Sequence, residues 1–400
     1  MTRTDREAIS LRWRAFVIRA FCALTIHFFA PAGLFAPDEL TYSQRGERLA
    51  NYLSGTMPTA FSLRDDAVGY YYVVAFLYLP FGVLPLLPKL VNAWVGSLVV
   101  LELYRLTKLM GGAEAPALRA AQFMAYFPSQ ILWSSVMVRD VWVQWLLMRL
   151  AREMAELKGI FIPSRIISAV ALVWLLTQFR PYLLYAVAGP FVLSFFLGRS
   201  KDLVRNLSIG ALLAISLAYA DVRGRGTSEK VQNFDLAELQ RLRSWSSSEA
   251  AANSGFENDA DISTPEGALS FLPIGLAYFF FAPFPWQLGS LRQSLAIPET
   301  VYFYTLVPGI IAGIIYLLRR RLVDSVGVLL VTMTVTFGYA IGQGNVGTLY
   351  RHKAQVIGFY YAFAAIGADR RRKPAGVPQP SAYPAPPGPL RTRPAAAYSS

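Results

Sequence analysis

The chain has 400 residues, of which 54% are hydrophobic and 16% are charged, and its mean hydropathy is +0.38. Soluble domains carry about a quarter charged residues, so the composition excludes an ordinary soluble protein. The formal net charge of +13 does not indicate nucleic-acid binding, because the basic residues lie in short clusters between apolar runs. With Cys22 as its single cysteine, the chain cannot form an internal disulfide.

Apolar segments close to the ~20 residues needed to cross a bilayer recur along the whole chain. They predict an all-α polytopic membrane protein with about ten transmembrane helices, or up to about twelve, within a membrane domain of residues 1–368. The predicted spans are residues 15–36, 90–107, 114–133, 138–157, 165–179, 181–198, 204–220, 299–318, 323–342 and 353–368.

The first span follows a basic stretch, residues 1–14, and precedes an acidic pair, Asp38-Glu39. The excess of basic residues on cytoplasmic loops places the N-terminus in the cytoplasm and the acidic pair outside. A first outer loop is predicted over 37–89, and its segment Leu40–Leu53 has the pattern of an amphipathic helix lying at the interface.

Two apolar segments, 69–88 and 271–286, are interrupted by prolines and have two possible placements. If both stay on the outer side, the basic clusters of the short loops all fall in the cytoplasm, whereas most of them land outside if both cross. We therefore predict ten spans in the cytoplasmic membrane, with both chain ends in the cytoplasm. A second outer loop region covers 221–298, and the Pro-rich residues 369–400 are predicted to be a disordered cytoplasmic tail.

This topology places eight polar residues on the outer face, several of them embedded in apolar sequence. Charges at such depth usually line a polar cavity or pair with one another. Arg139 and Asp140 could neutralise each other, and Arg180 could extend to the interface with no other role. Convergence of the whole set nevertheless favours one outer cavity formed by Asp38, Glu39, Arg139, Asp140, Arg180, Tyr182, Arg351 and His352.

A series of short motifs follows the first span in a fixed order: Pro37-Asp38-Glu39 with Tyr42, Tyr70-Tyr71-Tyr72, Phe81-Gly82-Val83, Leu90-Val91-Asn92-Ala93, Leu103-Tyr104-Arg105-Leu106, Tyr126-Phe127-Pro128 and Arg139-Asp140. This order resembles the GT-C superfamily of membrane glycosyltransferases, such as protein O-mannosyltransferases and lipid A aminoarabinose transferases. The resemblance covers about the first 160 residues, and later the surroundings of Arg180 and residues 345–351.

The resemblance implies transfer of a sugar from a polyprenyl-phosphate-linked donor to an extracytoplasmic acceptor. Such a reaction needs a base near the acceptor and positive charge near the departing phosphate. Asp38 or Glu39 is the candidate base, and Asp38 is favoured because Pro37 fixes its position while Glu39 could face the interface. Arg139, Arg180 or Arg351 would hold the phosphate, whose geometry a guanidinium matches.

The remaining predicted substrate contacts are Asp140, Tyr182 and His352. The membrane helices would supply a groove for the prenyl tail of the donor, and membrane lipid is a further expected partner. A glycine-rich approach, residues 342–347, could also bring backbone amides to an anion beside Arg351. No cofactor is certain, and a divalent metal is possible.

Two other functions fit the same pattern. One is a polysaccharide polymerase or ligase of the O-antigen type, and the other is a non-enzymatic flippase or transporter of lipid-linked sugar. Transporters typically have paired halves with internal repeats, and the sequence contains no recognisable repeat. The sugar, the acceptor and the oligomeric state stay open.

Overall fold

The computed structural model describes residues 2–57, 67–157, 162–197, 236–249, 260–284, 286 and 291–372, and every regular element within these ranges is a helix. In chain order they are α1 (Arg3–Phe29), α2 (Asp38–Leu53), α3 (Val68–Phe81), α4 (Leu86–Leu109), α5 (Glu114–Tyr126), α6 (Pro128–Trp133), α7 (Asp140–Leu157), α8 (Pro163–Phe179), α9 (Leu183–Phe196), α10 (Leu236–Glu249), α11 (Pro265–Phe281), α12 (Leu291–Arg320), α13 (Leu322–Gly342) and α14 (Val346–Arg372).

Three of these helices are long and apolar enough to cross a membrane: α4, the Ala296–Arg320 part of α12, and α13. Helices α3, α8 and α11, and residues Leu183–Ser194 of α9, are apolar but shorter than the ~20 residues of a typical span. Within the described residues the prediction of an all-helical membrane protein is therefore confirmed, and the count of ten spans is not.

Helix α14 is the central element of the fold. It packs against α12, α5, α7 and α13, and every residue from 352 to 367 is buried. A helix surrounded by protein rather than by lipid can carry charges that a lipid-facing helix could not. This placement explains why Arg351, His352 and Lys353 follow one another at its N-terminal end.

The charges of the bundle lie in two layers, one near each end of α4 and α14. Lys89 and Lys108 of α4 are separated by ~29 Å of helix, as are Arg351 and Arg370 of α14. That separation matches the ~30 Å hydrocarbon core of a bilayer. Lys89 contacts Glu39 and Lys108 contacts Asp5, so each layer joins several helices.

The first charged layer, called the site layer, comprises Asp38, Glu39, Lys89, Asp140, Arg180 and Arg351. The second, called the opposite layer, comprises Asp5, Glu102, Arg105, Lys108, Arg149, Arg152, Glu153, Glu156 and Arg165. Arg105, Lys108, Arg149, Arg152 and Arg165 of the opposite layer belong to the basic clusters from which the membrane topology was predicted.

The predicted span 114–133 is wrong as one continuous helix, because the chain breaks between α5 and α6. Pro128 has no amide hydrogen, and Phe127 before it is extended, with φ −65° and ψ 132°. The amide of Ser129 turns away from α5 and donates to Glu299 Oε2 at 2.6 Å. The last carbonyls of α5 consequently lack their usual partners within the helix.

Arg19 of α1 supplies the missing donors. Its guanidinium donates to the carbonyls of Met124 and Ala125 at 2.7 and 2.9 Å, although the side chain is only 1% exposed. A positive charge at this position also faces the negative end of the α5 dipole. Arg19, a charged residue within the apolar α1, therefore binds the free carbonyls at a helix break that lies more than a hundred residues later in the sequence.

Other boundaries also differ from the predictions. Helix α1 begins at Arg3 and ends at Phe29, before Pro31, instead of spanning 15–36. Helix α14 continues to Arg372, so residues 369–372 are not part of a disordered tail. The amphipathic helix predicted over Leu40–Leu53 is confirmed as α2. The span 204–220, the cluster Arg199/Lys201/Arg205 and the tail from residue 373 lie outside the described residues.

Candidate functional site

The site lies where four helix ends meet. Asp38 and Asp140 are the first residues of α2 and α7, Arg180 directly follows α8, and Arg351 lies near the start of α14. Carboxylates at helix N-termini face the positive end of the helix dipole, which favours their charged form. The ends of α2, α7, α8 and α14 thus bring together four charges that are far apart in sequence.

Asp140 is the centre of this cluster, and its side chain is 2% exposed. Arg180 Nη2 donates to its Oδ1 at 2.8 Å, and Arg351 Nε and Nη2 both approach its Oδ2, at 2.6 and 2.5 Å. The amide of Gln355 also donates to Oδ1. Two guanidinium groups and an amide therefore hold this carboxylate ionised and fixed.

Arg351 connects the buried carboxylate to an accessible one. While Nε and Nη2 bind Asp140, Nη1 donates to Asp38 Oδ2 at 2.6 Å. The Arg351 side chain is 14% exposed and the Asp38 side chain is 53% exposed. The guanidinium consequently binds a buried carboxylate through two nitrogens and an exposed carboxylate through the third.

Two further polar atoms of the cluster are buried and have no hydrogen-bond partner among the described residues: Arg180 Nε and His352 Nδ1. Arg180 Nη1 donates to the Tyr182 hydroxyl, and the His352 ring stacks on Tyr339 with 4.5 Å between ring centres. Since buried polar groups normally have a partner, these two atoms are exceptions among the buried groups of the cluster.

Glu39 occupies a different environment from its neighbour. It is 6% exposed, pairs with Lys89 at 3.3 Å and accepts the amide of Met137 at 2.6 Å. The expectation that Glu39 faces the interface is therefore wrong. Successive residues of a helix differ by about 100° in direction, so the rotation that exposes Asp38 turns Glu39 into the bundle.

The loop 134–139, directly before Asp140, is held from three sides. Asn92 donates to the carbonyls of Val136 and Val138 at 2.8 and 2.9 Å, and Glu39 accepts the amide of Met137. The Ser135 hydroxyl donates to the Arg19 carbonyl at 2.9 Å. These contacts fix the approach to α7 and thereby the position of Asp140.

Arg139 directly precedes Asp140 and contacts the end of α8. Its Nη1 donates to the Phe179 carbonyl at 2.9 Å, and Trp142 stacks on the Phe179 ring. A cation that binds the last carbonyl of a helix also offsets the helix dipole. The structure gives Arg139 a clear contact in joining α7 to α8.

The predicted approach of backbone amides at 342–347 is only partly available. The Asn345 side chain accepts the amides of Gly347 and Thr348 at 2.7 and 3.2 Å, which caps the start of α14. Those two amides already have a partner, so an anion would have to displace the cap to reach them.

Two residues that the sequence interpretation missed complete the cluster. Gln355 binds Asp140, and the Tyr339 hydroxyl donates to Gln355 Oε1 at 2.6 Å. Gln355 follows Arg351 by one helical turn, so it lies on the same face of α14. That spacing is the signal by which it could have been found.

No group of three or more His, Cys, Asp or Glu side chains is placed to hold a metal ion in the part of the chain that the structure describes. Asp38 and Asp140 instead share the guanidinium of Arg351. Charge compensation between these two carboxylates therefore comes from an arginine.

No family model matches the sequence, and no curated protein does. Among solved structures, the fold is similar to the crystal structure of the oligosaccharyltransferase of Archaeoglobus fulgidus in its apo form, with a TM-score of 0.49 and 16% sequence identity. The match covers 88% of this chain and 50% of that one, so this chain spans about half the length of the archaeal protein.

Proposed function

We infer that this protein is a membrane glycosyltransferase that moves a sugar from a polyprenyl-phosphate-linked donor to an acceptor outside the cytoplasm. The acceptor is a glycan, lipid or protein of the cell envelope. The observation that carries the proposal is the direct contact between an exposed carboxylate, Asp38, and the Nη1 atom of Arg351. A base and a phosphate-binding group are thereby neighbours at one open site.

Asp38 is the general base in this proposal. Its carboxylate is 53% exposed, whereas that of Asp140 is 2% exposed and has both oxygens bound. A base must reach the hydroxyl of the acceptor, and Asp38 can do so while Asp140 cannot. Glu39 is engaged by Lys89 and the Met137 amide, which supports a role in positioning the loop 134–139.

Arg351 holds the phosphate of the donor. Asp140 fixes two of its nitrogens, so the third, Nη1, is presented without loss of conformational freedom when a ligand binds. A phosphate at Nη1 stabilises the negative charge that develops as the sugar leaves. Arg180 Nε and His352 Nδ1 are the further donor or acceptor atoms that this arrangement leaves for substrate.

Donor binding and release of the base are coupled in this arrangement. In the empty site Asp38 occupies Arg351 Nη1, the same nitrogen that the phosphate requires. A bound phosphate displaces the carboxylate, which then turns to the acceptor hydroxyl. The donor should therefore bind before the acceptor.

The decisive experiment compares Asp38→Asn with the wild type at matched expression. Mass spectrometry of cell-envelope glycans and glycoproteins should show a sugar that is missing without the gene and is not restored by the variant. Binding of the polyprenyl-phosphate sugar to the purified variant should be equal to or tighter than binding to the wild type, because the competing carboxylate is gone. Near wild-type transfer by Asp38→Asn would remove it as the base.

Arg351→Lys tests the role of the guanidinium. Lysine keeps the charge but cannot bind Asp140 and a phosphate through separate edges. We expect the variant to fold and to bind the donor at least tenfold more weakly, since one charge-assisted contact is worth about 1.5–3 kcal/mol. Arg319→Lys, an exposed arginine at the end of α12, is the matched control and should behave as the wild type. Full activity in Arg351→Lys would take Arg351 out of the site.

The orientation of the site is tested with single cysteines in a Cys22→Ser background. A cysteine replacing Ser54, at the end of α2, should react with an impermeant thiol reagent in intact spheroplasts. A cysteine replacing Arg319 should be protected until the membrane is opened. The reverse pattern would place the site layer in the cytoplasm and contradict an extracytoplasmic acceptor.

A further inference from the structure

A cavity lies in the opposite layer, remote from the candidate site. It has a volume of about 420 Å³ and lies between α1, α4 and α7. Ile9, Leu101 and Leu109 form its apolar walls, and Arg105 and Lys108, three residues apart on α4, lie on the same wall. The cavity thus combines apolar surface with two adjacent cations.

The cations at this cavity differ in how closely they are paired with carboxylates. Arg105, whose side chain is 47% exposed, lies 3.7 Å from Glu102. The same carboxylate is 2.9 Å from Arg152 and 3.9 Å from Arg149. Arg149 and Arg152 also face Glu153 and Glu156, and Lys108 is paired with Asp5 and Glu114. Arg105 is therefore the most exposed and the most weakly paired of these cations.

A fourth guanidinium, that of Arg12, lies nearby on α1. It is stacked over the Trp94 ring, 4.3 Å from the ring centre. Partial burial and repulsion by Arg105 lower the pKa of Arg12. The cavity lining itself has three basic side chains, Arg105, Lys108 and Arg152, and two acidic ones, Asp5 and Glu156, so it carries a net positive charge.

We propose that this cavity binds the phosphate headgroup of an anionic phospholipid in the membrane leaflet on the side of the N-terminus. Arg105 and Lys108 bind the phosphate oxygens, and the acyl chains run along Ile9 and the exposed ring of Trp13 on the lipid-facing side of α1. A free phosphate ion would use the cations but would leave the apolar walls uncovered. An anionic lipid matches both, and such lipids are attracted by basic residues at the membrane surface.

The test is native mass spectrometry of the detergent-solubilised full-length protein, titrated with phosphatidylglycerol or with phosphatidylcholine. We expect phosphatidylglycerol to bind at least fivefold more tightly. Arg105→Gln should weaken its binding about fivefold, because one basic side chain at the surface contributes roughly that factor. Glu156→Gln removes a carboxylate from the cavity lining and should strengthen it.

Arg319→Gln is the control, since it removes an exposed arginine from the end of α12 and not from the cavity. It should leave the binding of both lipids unchanged. Equal binding of the two lipids, or equal weakening by Arg105→Gln and Arg319→Gln, would overturn the proposal. Displacement of phosphatidylglycerol by millimolar inorganic phosphate would also overturn it and assign the cavity to the free ion. None of these outcomes depends on sugar transfer.

Discussion

The two charged layers use the same residue types in different ways. In the site layer, Asp140 and Arg180 are 2% and 4% exposed, and the partners come from helices distant in sequence. In the opposite layer, Glu153 binds Arg149 one turn earlier on α7 and Arg165 at the start of α8, and these arginines are 29% and 37% exposed. The first arrangement fixes Asp140 and Arg180 in place, and the second leaves Arg149 and Arg165 partly in contact with water.

This difference indicates which layer is the better candidate for a functional site. Burying an ion pair has a large desolvation penalty and adds little stability compared with apolar packing. Exposed ion pairs lose little hydration and contribute little stability. A buried cluster therefore calls for a reason other than stability, and the orientation of Arg351 by Asp140 supplies one. The opposite layer needs no such reason, because basic residues there are expected to orient the protein in the membrane.

The largest effect that would distinguish the layers is expected for Asp140→Asn. The variant leaves Arg180 and Arg351 buried without their shared counter-charge, which should lower the free energy of unfolding by about 3–5 kcal/mol. Denaturant unfolding of the purified protein in detergent measures the loss. Asp38→Asn is the control, and it should cost less than about 1 kcal/mol because Asp38 is exposed. Equal losses in the two variants would contradict the assignment of a buried and an accessible carboxylate.

Arg19→Met should produce the next largest effect. It leaves the carbonyls of Met124 and Ala125 buried without donors, while it also removes a buried charge. We expect a net loss of about 2 kcal/mol in the same unfolding assay. Arg14→Met, on an exposed position of α1, should change the stability by less than about 0.5 kcal/mol. If the two variants are equally stable, Arg19 does not close the break between α5 and α6.

In the opposite layer, Glu153→Gln should have a smaller effect. Its partners Arg149 and Arg165 are partly exposed and can return to water when the carboxylate is lost. A loss of about 1 kcal/mol is expected once screening by solvent is included. A loss as large as that of Asp140→Asn would remove the contrast between the two layers.

The smallest effect concerns Asp5 and depends on pH. Hydrogen bonds from the Thr2 backbone and from Lys108 lower the pKa of the Asp5 carboxyl. Its contribution to stability is therefore present above its unfolded pKa of about 3.9 and is lost as the pH falls through the lower folded value. The difference in thermal midpoint between the wild type and Asp5→Asn should be constant from pH 8 to pH 5, and it should shrink only below about pH 4. A decrease already at pH 6 would contradict this sign.

The sequence predicted the helical membrane class, because composition and the length of apolar segments depend only on which residues are present. It also selected the residues that the structure brings together, namely Asp38, Asp140, Arg180, Tyr182 and Arg351. Charged residues within apolar sequence are rare, so their presence alone marks them as candidate site residues. Single-sequence patterns could not assign partners, because each partner lies on another helix.

Only the tertiary structure decided what the neighbouring residues do. Asp38 and Glu39 are adjacent acidic residues whose roles the sequence does not separate. In the structure, the orientation of α2 exposes Asp38 and buries Glu39 against Lys89. The break at Pro128 could have been expected from the proline itself, whereas the donor that closes it, Arg19, could not. A charged residue in an apolar segment indicates that it needs a polar partner, but it does not indicate which residue that partner is. The packing of the helices determines which buried polar groups contact one another.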